Sequence, residues 1–80
     1  MEKTIAVVAI VVSDKEAVER INSLLHTFGE HIIGRIGVPY REKNLSVISV
    51  IMDAPQSVIN SLSGKLGMIN GVSSKVLITK

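Results

Sequence analysis

The two histidines are the first residues whose chemistry can be judged from their spacing. His26 and His31 lie five residues apart around Gly29, where a helix is expected to end. A metal site needs three or four ligands at fixed spacing, and the sequence contains no Cys to complete one. We therefore expect surface histidines, no bound metal and no other cofactor. His26, near a helix C-terminus, would also be stabilised by the helix dipole when protonated.

The carboxylates and glycines favour structural roles over catalysis. Asp14 and Asp53 each follow an apolar run, which is typical of residues that begin a helix. Segment 63–71, with the sequence SGKLGMING, carries three glycines. Its spacing is not that of a phosphate loop, and it ends a helix where such a loop must begin one. Lys65, within this segment, is retained as a candidate anion contact.

The most informative polar segment is 35–44, with the sequence RIGVPYREKN. Arginine suits carboxylate and phosphate groups, and it also suits ion pairs between subunits. Two roles therefore stay open for Arg35, Arg41 and the neighbouring Asn44: a structural role in a hairpin or an interface, and contact with a ligand. If Ile36 faces the helices, then Arg35 faces the open side of the sheet, because alternate strand residues point to opposite faces.

Length and composition limit the organisation that can position these residues. The chain has 80 residues, 46% hydrophobic and 20% charged, which predicts one folded domain over residues 1–80. The absence of Cys excludes a disulfide scaffold and a cysteine nucleophile. The net charge of +2 and only two aromatic residues offer little for nucleic-acid binding, so we expect no direct nucleic-acid partner.

The hydrophobic pattern predicts four strands and two helices. Short β-branched runs predict strands over 4–12, 32–38, 45–52 and 72–79. Ser13 and Glu16 have the spacing of a capping box, so the first helix is expected to begin there. The second is expected to begin at 53–55 and to end near Gly67. The order is βαββαβ, an α+β, ferredoxin-like fold with a four-stranded antiparallel sheet of order 4-1-3-2 and both helices on one face.

The two central strands carry apolar residues on both faces. A sheet covered by helices on one side normally alternates apolar and polar residues, but 5–12 and 45–52 do not. The open face would then carry a large apolar patch, which in a monomeric protein usually marks an interaction site. We expect self-association as a homodimer or homotetramer; the alternative is a set of scattered, exposed Val and Ile side chains.

Several segments together resemble a known small family. They are IVVSD at 10–14, LLH at 24–26, RIGVP at 35–39, REKN at 41–44, SGKLG at 63–67 and GV at 71–72. In these segments the sequence resembles the iron-only hydrogenase system regulators. The members of this family are stand-alone ACT-like domains, similar in fold to the C-terminal domain of the nickel-responsive repressor. The resemblance covers essentially the whole chain. It implies an ACT-like regulatory domain.

The resemblance also implies where a ligand would bind. ACT domains commonly bind small ligands, often amino acids, near the loop after the first strand, which makes Ser13 and Asp14 candidate contacts. This loop lacks the glycine that is usual in amino-acid-binding ACT loops. The nickel site of the repressor needs a cysteine, and its DNA-reading module precedes the ACT-like domain, so neither carries over to this chain.

These observations lead to one expected function and one alternative. We expect a non-enzymatic, oligomeric regulatory module of the iron-only hydrogenase system, acting through a small ligand or through a hydrogenase-related or DNA-binding partner protein. The alternative is a scaffold with no ligand. An acylphosphatase-like enzyme is disfavoured because Ser13-Asp14 would repel a phosphate. Residues 5–12 are too few to cross a bilayer, so we expect no membrane partner and a cytoplasmic location.

Overall fold

The computed structural model describes residues 2–79, which form one antiparallel sheet and two α-helices. The elements are β1 (Lys3–Val12), α1 (Ala17–Thr27), β2 (Ile32–Tyr40), β3 (Leu45–Pro55), α2 (Gln56–Gly67) and β4 (Val72–Ile78). Short 3-10 turns lie at Gly29–His31 and Arg41–Lys43. The strand order β2-β3-β1-β4 is the predicted order 4-1-3-2 read from the other edge, so the βαββαβ fold is confirmed. Met1 and Lys80, the ends of the predicted domain, lie outside the described residues.

One apolar core joins both helices to a single face of the sheet. On the central strands the even-numbered residues are buried, from Ala6 to Val12 in β1 and from Ile48 to Ala54 in β3. Ile21 of α1 and Leu62 of α2 are fully buried against this face. Each such side chain contributes about 1.5–3 kcal/mol of burial free energy. An isolated helix of 11 residues, the length of α1, is marginal in water, so packing on the sheet supplies its stability.

The first helix begins later than its capping-box spacing predicts. Ala17 is its first residue, and no side chain caps its N-terminus. The Ser13 hydroxyl and backbone N–H both donate to the Gly71 carbonyl, at 3.2 and 2.8 Å. Asp14 instead holds the turn before the helix, because its Oδ1 accepts the Glu16 N–H at 3.0 Å. The predicted capping box is therefore wrong, and Ser13 joins the first loop to the last.

The second helix also begins later than predicted. Segment 53–55 continues β3, because the antiparallel ladder with β1 runs on to the pairs Thr4–Ala54 and Lys3–Pro55. Pro55 ends the strand and stands at the N-cap of α2. Among residues 2–79, no helix is both long and apolar enough to cross a membrane.

A bulge in β2 reverses the predicted facing of this edge strand. The partner of Ile32 is Met52, but that of Gly34 is Ile51, so Ile33 is an extra residue in the ladder. Beyond the bulge, Arg35 pairs with the buried Val50 and Ile36 pairs with Ser49 of the opposite face. The expectation that Arg35 lies on the open face is therefore wrong.

Candidate functional site

A cleft opens where the start of α1 faces the connection between β2 and β3. Val12 at the end of β1 pairs with Ser46 of β3, and Ser46 pairs with Pro39 of β2. This register brings the ends of three strands together at one end of the sheet, beside α1. The cleft has a volume of about 420 Å³, within the range of small-molecule sites.

The walls of the cleft are mostly apolar, and its charged groups come from two different elements. Its apolar surface is formed by Val12, Val18, Pro39, Tyr40 and Leu45. Its polar groups are Lys15, Arg41, Asn44 and Ser46. Lys15 precedes α1, whereas Arg41 and Asn44 belong to the β2–β3 connection, so the two cations come from separate elements.

The turn that carries Arg41 has a defined conformation. Asn44 adopts the left-handed region at φ 54°, which asparagine tolerates better than most residues. Its backbone N–H donates to the Arg41 carbonyl at 3.1 Å and closes the 3-10 turn. The Tyr40 hydroxyl donates to Glu42 Oε2 at 3.1 Å, which fixes the carboxylate that lies next to Arg41 in sequence.

The charges that line the cleft are of one sign. Its two charged lining residues, Lys15 and Arg41, are both basic, and no acidic residue within the described range lines it. The contact between a basic and an acidic side chain that is found among residues 2–79 lies elsewhere, between His31 Nε2 and Glu30 Oε1 at 3.5 Å. The cleft therefore combines apolar walls with two cations that are held in no ion pair within residues 2–79.

The structure brings together only two of the six site residues predicted from the sequence. Arg41 and Asn44 line the cleft. Arg35 instead donates from Nη2 to Asn22 Oδ1 of α1 at 3.0 Å. Lys65 lies beside α1 and the end of α2 in a separate, shallow depression. These two therefore do not share the cleft with Arg41.

Ser13 and Asp14 lie close to the cleft in sequence but do not line it. Both lie against Gly71, in the loop between α2 and β4. Sequence reasoning missed Lys15, which follows them directly. The available signal was the pairing of β1 with β3, which places the residues after Val12 beside the β2–β3 connection.

The two histidines lie outside the cleft. His26 is exposed near the end of α1, and His31 contacts Glu30. Within residues 2–79 no group of three or more His, Cys, Asp or Glu side chains is arranged to hold a metal ion.

The second surface feature is the sheet face opposite the helices, which we call the open face. It consists of the odd-numbered residues of β1 and β4, the odd-numbered residues of β3 from Val47 onward, and Gly34, Ile36 and Val38 of β2. Its large apolar side chains are 37–68% exposed: Ile5, Val11, Ile36, Val38, Val47, Ile51 and Leu77. The apolar patch expected from the two-sided strand pattern is therefore present on the surface of the chain.

The open face has small residues at its centre and charges of both signs. Ala9 pairs with Ser49 in the middle of the two central strands, between larger side chains on either side. Asp53 lies at one end of β3, and Lys75 pairs with Ala9 from β4. A face with this composition can pack against another sheet, since stacked sheets approach to about 10 Å.

The fold and the two surfaces define a ferredoxin-like, ACT-like α+β domain with a surface cleft and an uncovered sheet face. Residues 4–76 match the family model TM1266-like, described as "Iron-only hydrogenase system regulator, putative". The chain belongs to this family, as its sequence resemblance indicated. A search of the curated proteins gave no match.

Solved structures agree with this assignment. The uncharacterized protein TM1266 from Thermotoga maritima is 40% identical, with a TM-score of 0.94, over 99% of this chain and 100% of that one. An unknown protein from Galdieria sulphuraria is 13% identical, with a TM-score of 0.66, over 99% of this chain and 46% of that one. The nitrogen regulatory PII-like protein CPII from Thiomonas intermedia K12 was solved with ADP, AMP and bicarbonate. It is 14% identical, with a TM-score of 0.50, over 96% of each chain. The last two show the fold alone.

Proposed function

We propose that this protein is a non-enzymatic, oligomeric regulatory module of the iron-only hydrogenase system that acts through a small ligand or a partner protein. The observation that carries the proposal is the open face, an apolar surface that the chain's own helices leave uncovered. Membership of a regulator family supports the regulatory role. The cleft between α1 and the β2–β3 connection is the proposed position of a ligand.

The proposed occupant of the open face is a second copy of the chain. A two-fold dimer uses the same patch on both subunits, so each contact in it occurs twice. The open face suits such an arrangement because it carries Asp53 and Lys75, charges that can pair across the axis. Its remaining area is apolar, so stacking would remove Ile36, Val47 and Leu77 from water. A homotetramer would add a further contact outside this face.

Light scattering on the purified protein at micromolar concentration tests the oligomer. We expect a mass that is a multiple of 8.6 kDa, the mass of one chain. A single species of 8.6 kDa across that concentration range would contradict the proposed association.

The alternative function is that of a scaffold with no ligand. The open face, taken without the cleft, favours this alternative, because an apolar sheet face can bind a partner without a small molecule. Thermal unfolding with and without candidate ligands separates the two functions. A ligand at about 100 times its dissociation constant stabilises the folded state by about 2.7 kcal/mol. A consistent absence of any shift, together with capture of a hydrogenase-related protein, would favour the scaffold.

We further propose a cytoplasmic location and regulation through a DNA-binding or hydrogenase-related partner. Cell fractionation with an antibody against the chain tests the location. Capture of partners from the native cell, with Ile36→Glu as a control that disrupts the open face, tests whether they bind there.

A further inference from the structure

We propose that the cleft binds a small organic anion, a carboxylate or phosphate ester with an apolar body and no ammonium group. This inference rests on the proposed regulatory function, since it names the ligand of that module. It follows from the charges, the walls and the construction of the cleft.

The charged groups select for a negative ligand. Lys15 and Arg41 approach from separate elements, and neither is engaged by a carboxylate of residues 2–79. An anionic group placed between them receives charge-assisted hydrogen bonds from both, and Arg41 can bind it in a bidentate manner. The shared chemistry of carboxylates and phosphates therefore fits this position.

The walls select for an apolar body attached to that anion. Val12, Val18 and Leu45 supply aliphatic lining residues, and Tyr40 adds an aromatic one. An inorganic ion would leave this surface in contact with water, whereas an organic substituent would cover it. A volume of about 420 Å³ leaves room for such a substituent.

The cleft offers no counterion for an ammonium group. Glu42, the acid next to Arg41, does not line the cleft, and its carboxylate is bound to the Tyr40 hydroxyl. Asp14, the acid next to Lys15, does not line it either. An amino acid would place its positive group near two cations without compensation, so the cleft discriminates against zwitterions.

Titrations monitored by backbone amide NMR test this inference with four probes. Phenyl phosphate and benzoate carry an anion on an apolar ring, phenylalanine adds an ammonium group, and inorganic phosphate lacks the ring. We expect the first two to shift the amides around Lys15 and Arg41–Asn44, and to bind at least tenfold more tightly than the other two. Comparison of the first two distinguishes a phosphate ester from a carboxylate as the preferred group.

Three variants locate the binding. Lys15→Gln and Arg41→Gln should each weaken binding of the preferred probe at least fivefold, whereas Lys65→Gln removes the same charge from a separate depression and should leave binding unchanged. Equal weakening by all three variants, or tighter binding of phenylalanine than of benzoate, would overturn the inference. So would the absence of amide shifts at the cleft with every probe.

Light scattering on the same samples separates this inference from the proposed function. An oligomer that binds none of the probes contradicts the ligand class and leaves the regulatory module in place. A monomer that binds benzoate at the cleft contradicts the oligomeric module and supports the anion site.

Discussion

The Arg35 guanidinium donates a hydrogen bond from Nη2 to the Asn22 side-chain oxygen at 3.0 Å, and this contact links the edge strand β2 to α1. Both side chains are exposed, so water competes for the same groups. The contact nevertheless shows on which side of the sheet Arg35 lies. Arg35 belongs to the helix side, away from both the open face and the cleft.

Removal of this contact should have a small effect on stability and none on assembly. We expect Arg35→Ala and Asn22→Ala each to lower the free energy of unfolding by about 0.5 kcal/mol, the low end for a hydrogen bond. The double variant should lose little more than either single variant, as urea denaturation of all four proteins would show. A change in oligomer mass caused by Arg35→Ala would contradict this position for the side chain.

The bulge in β2, which sets the face on which Arg35 lies, is the part of the fold that the sequence does not reveal. The βαββαβ order predicts that β1 and β3 are the central strands, and the structure confirms this. The facing of β2 depends on one extra residue at Ile33, and a shift of one residue exchanges every side chain between the two faces. Nothing in the residues 32–38 distinguishes a regular strand from a bulged one.

The cleft could be predicted only in part for a related reason. Arg41 and Asn44 stand out as polar residues in a hairpin connection, so the sequence identifies them. Lys15 becomes their neighbour only through the pairing of Val12 with Ser46, which is a long-range contact. Its sequence position suggested only a residue near the start of a helix.

Gly71 is the position where a methyl group should be most damaging. Its φ is +80°, and an added Cβ would lie 2.5 Å from the Asp14 Cβ. We expect Gly71→Ala to lower the free energy of unfolding by about 2 kcal/mol or more, because strain and overlap add.

Gly64 provides the matched control for this substitution. It lies within α2, and an added Cβ would meet nothing within 4 Å. Gly64→Ala should therefore raise the free energy of unfolding by about 0.5–1 kcal/mol. Denaturant unfolding of both variants at one protein concentration measures the difference, and equal stabilities would contradict the role of Gly71.

Metal analysis of the purified protein tests the expectation of no tightly bound metal. His26 is exposed, and His31 contacts a single acid, Glu30. We expect less than stoichiometric transition metal by elemental analysis after dialysis. A stoichiometric metal that is lost in His26→Ala or His31→Ala would overturn this expectation.

The chain should not bind DNA sequence-specifically without a partner protein. Its net charge is +2, and the number of phosphates a protein neutralises sets most of its affinity for DNA. We expect no sequence-dependent gel shift at nanomolar protein and physiological salt. A specific shift under those conditions would show that the module does not need a DNA-binding partner.

The last prediction concerns the open face, because a charge placed there should dissociate the proposed oligomer without unfolding the chain. Ile36 and Leu77 are 68% and 65% exposed, so neither contributes much to the core. An uncompensated carboxylate in a stacked sheet interface loses its hydration, which is costly. Light scattering should therefore give 8.6 kDa for Ile36→Glu and Leu77→Glu, the mass of one chain.

Met68 is the control for this prediction, since it is 80% exposed beyond the end of α2 and outside the open face. Met68→Glu introduces the same charge and should keep the oligomer mass of the unmodified protein. Circular dichroism should show the same secondary structure in all three variants. If Met68→Glu dissociated the oligomer while Ile36→Glu and Leu77→Glu did not, the subunits would meet through the helical side, and the open face would be free to bind a different protein.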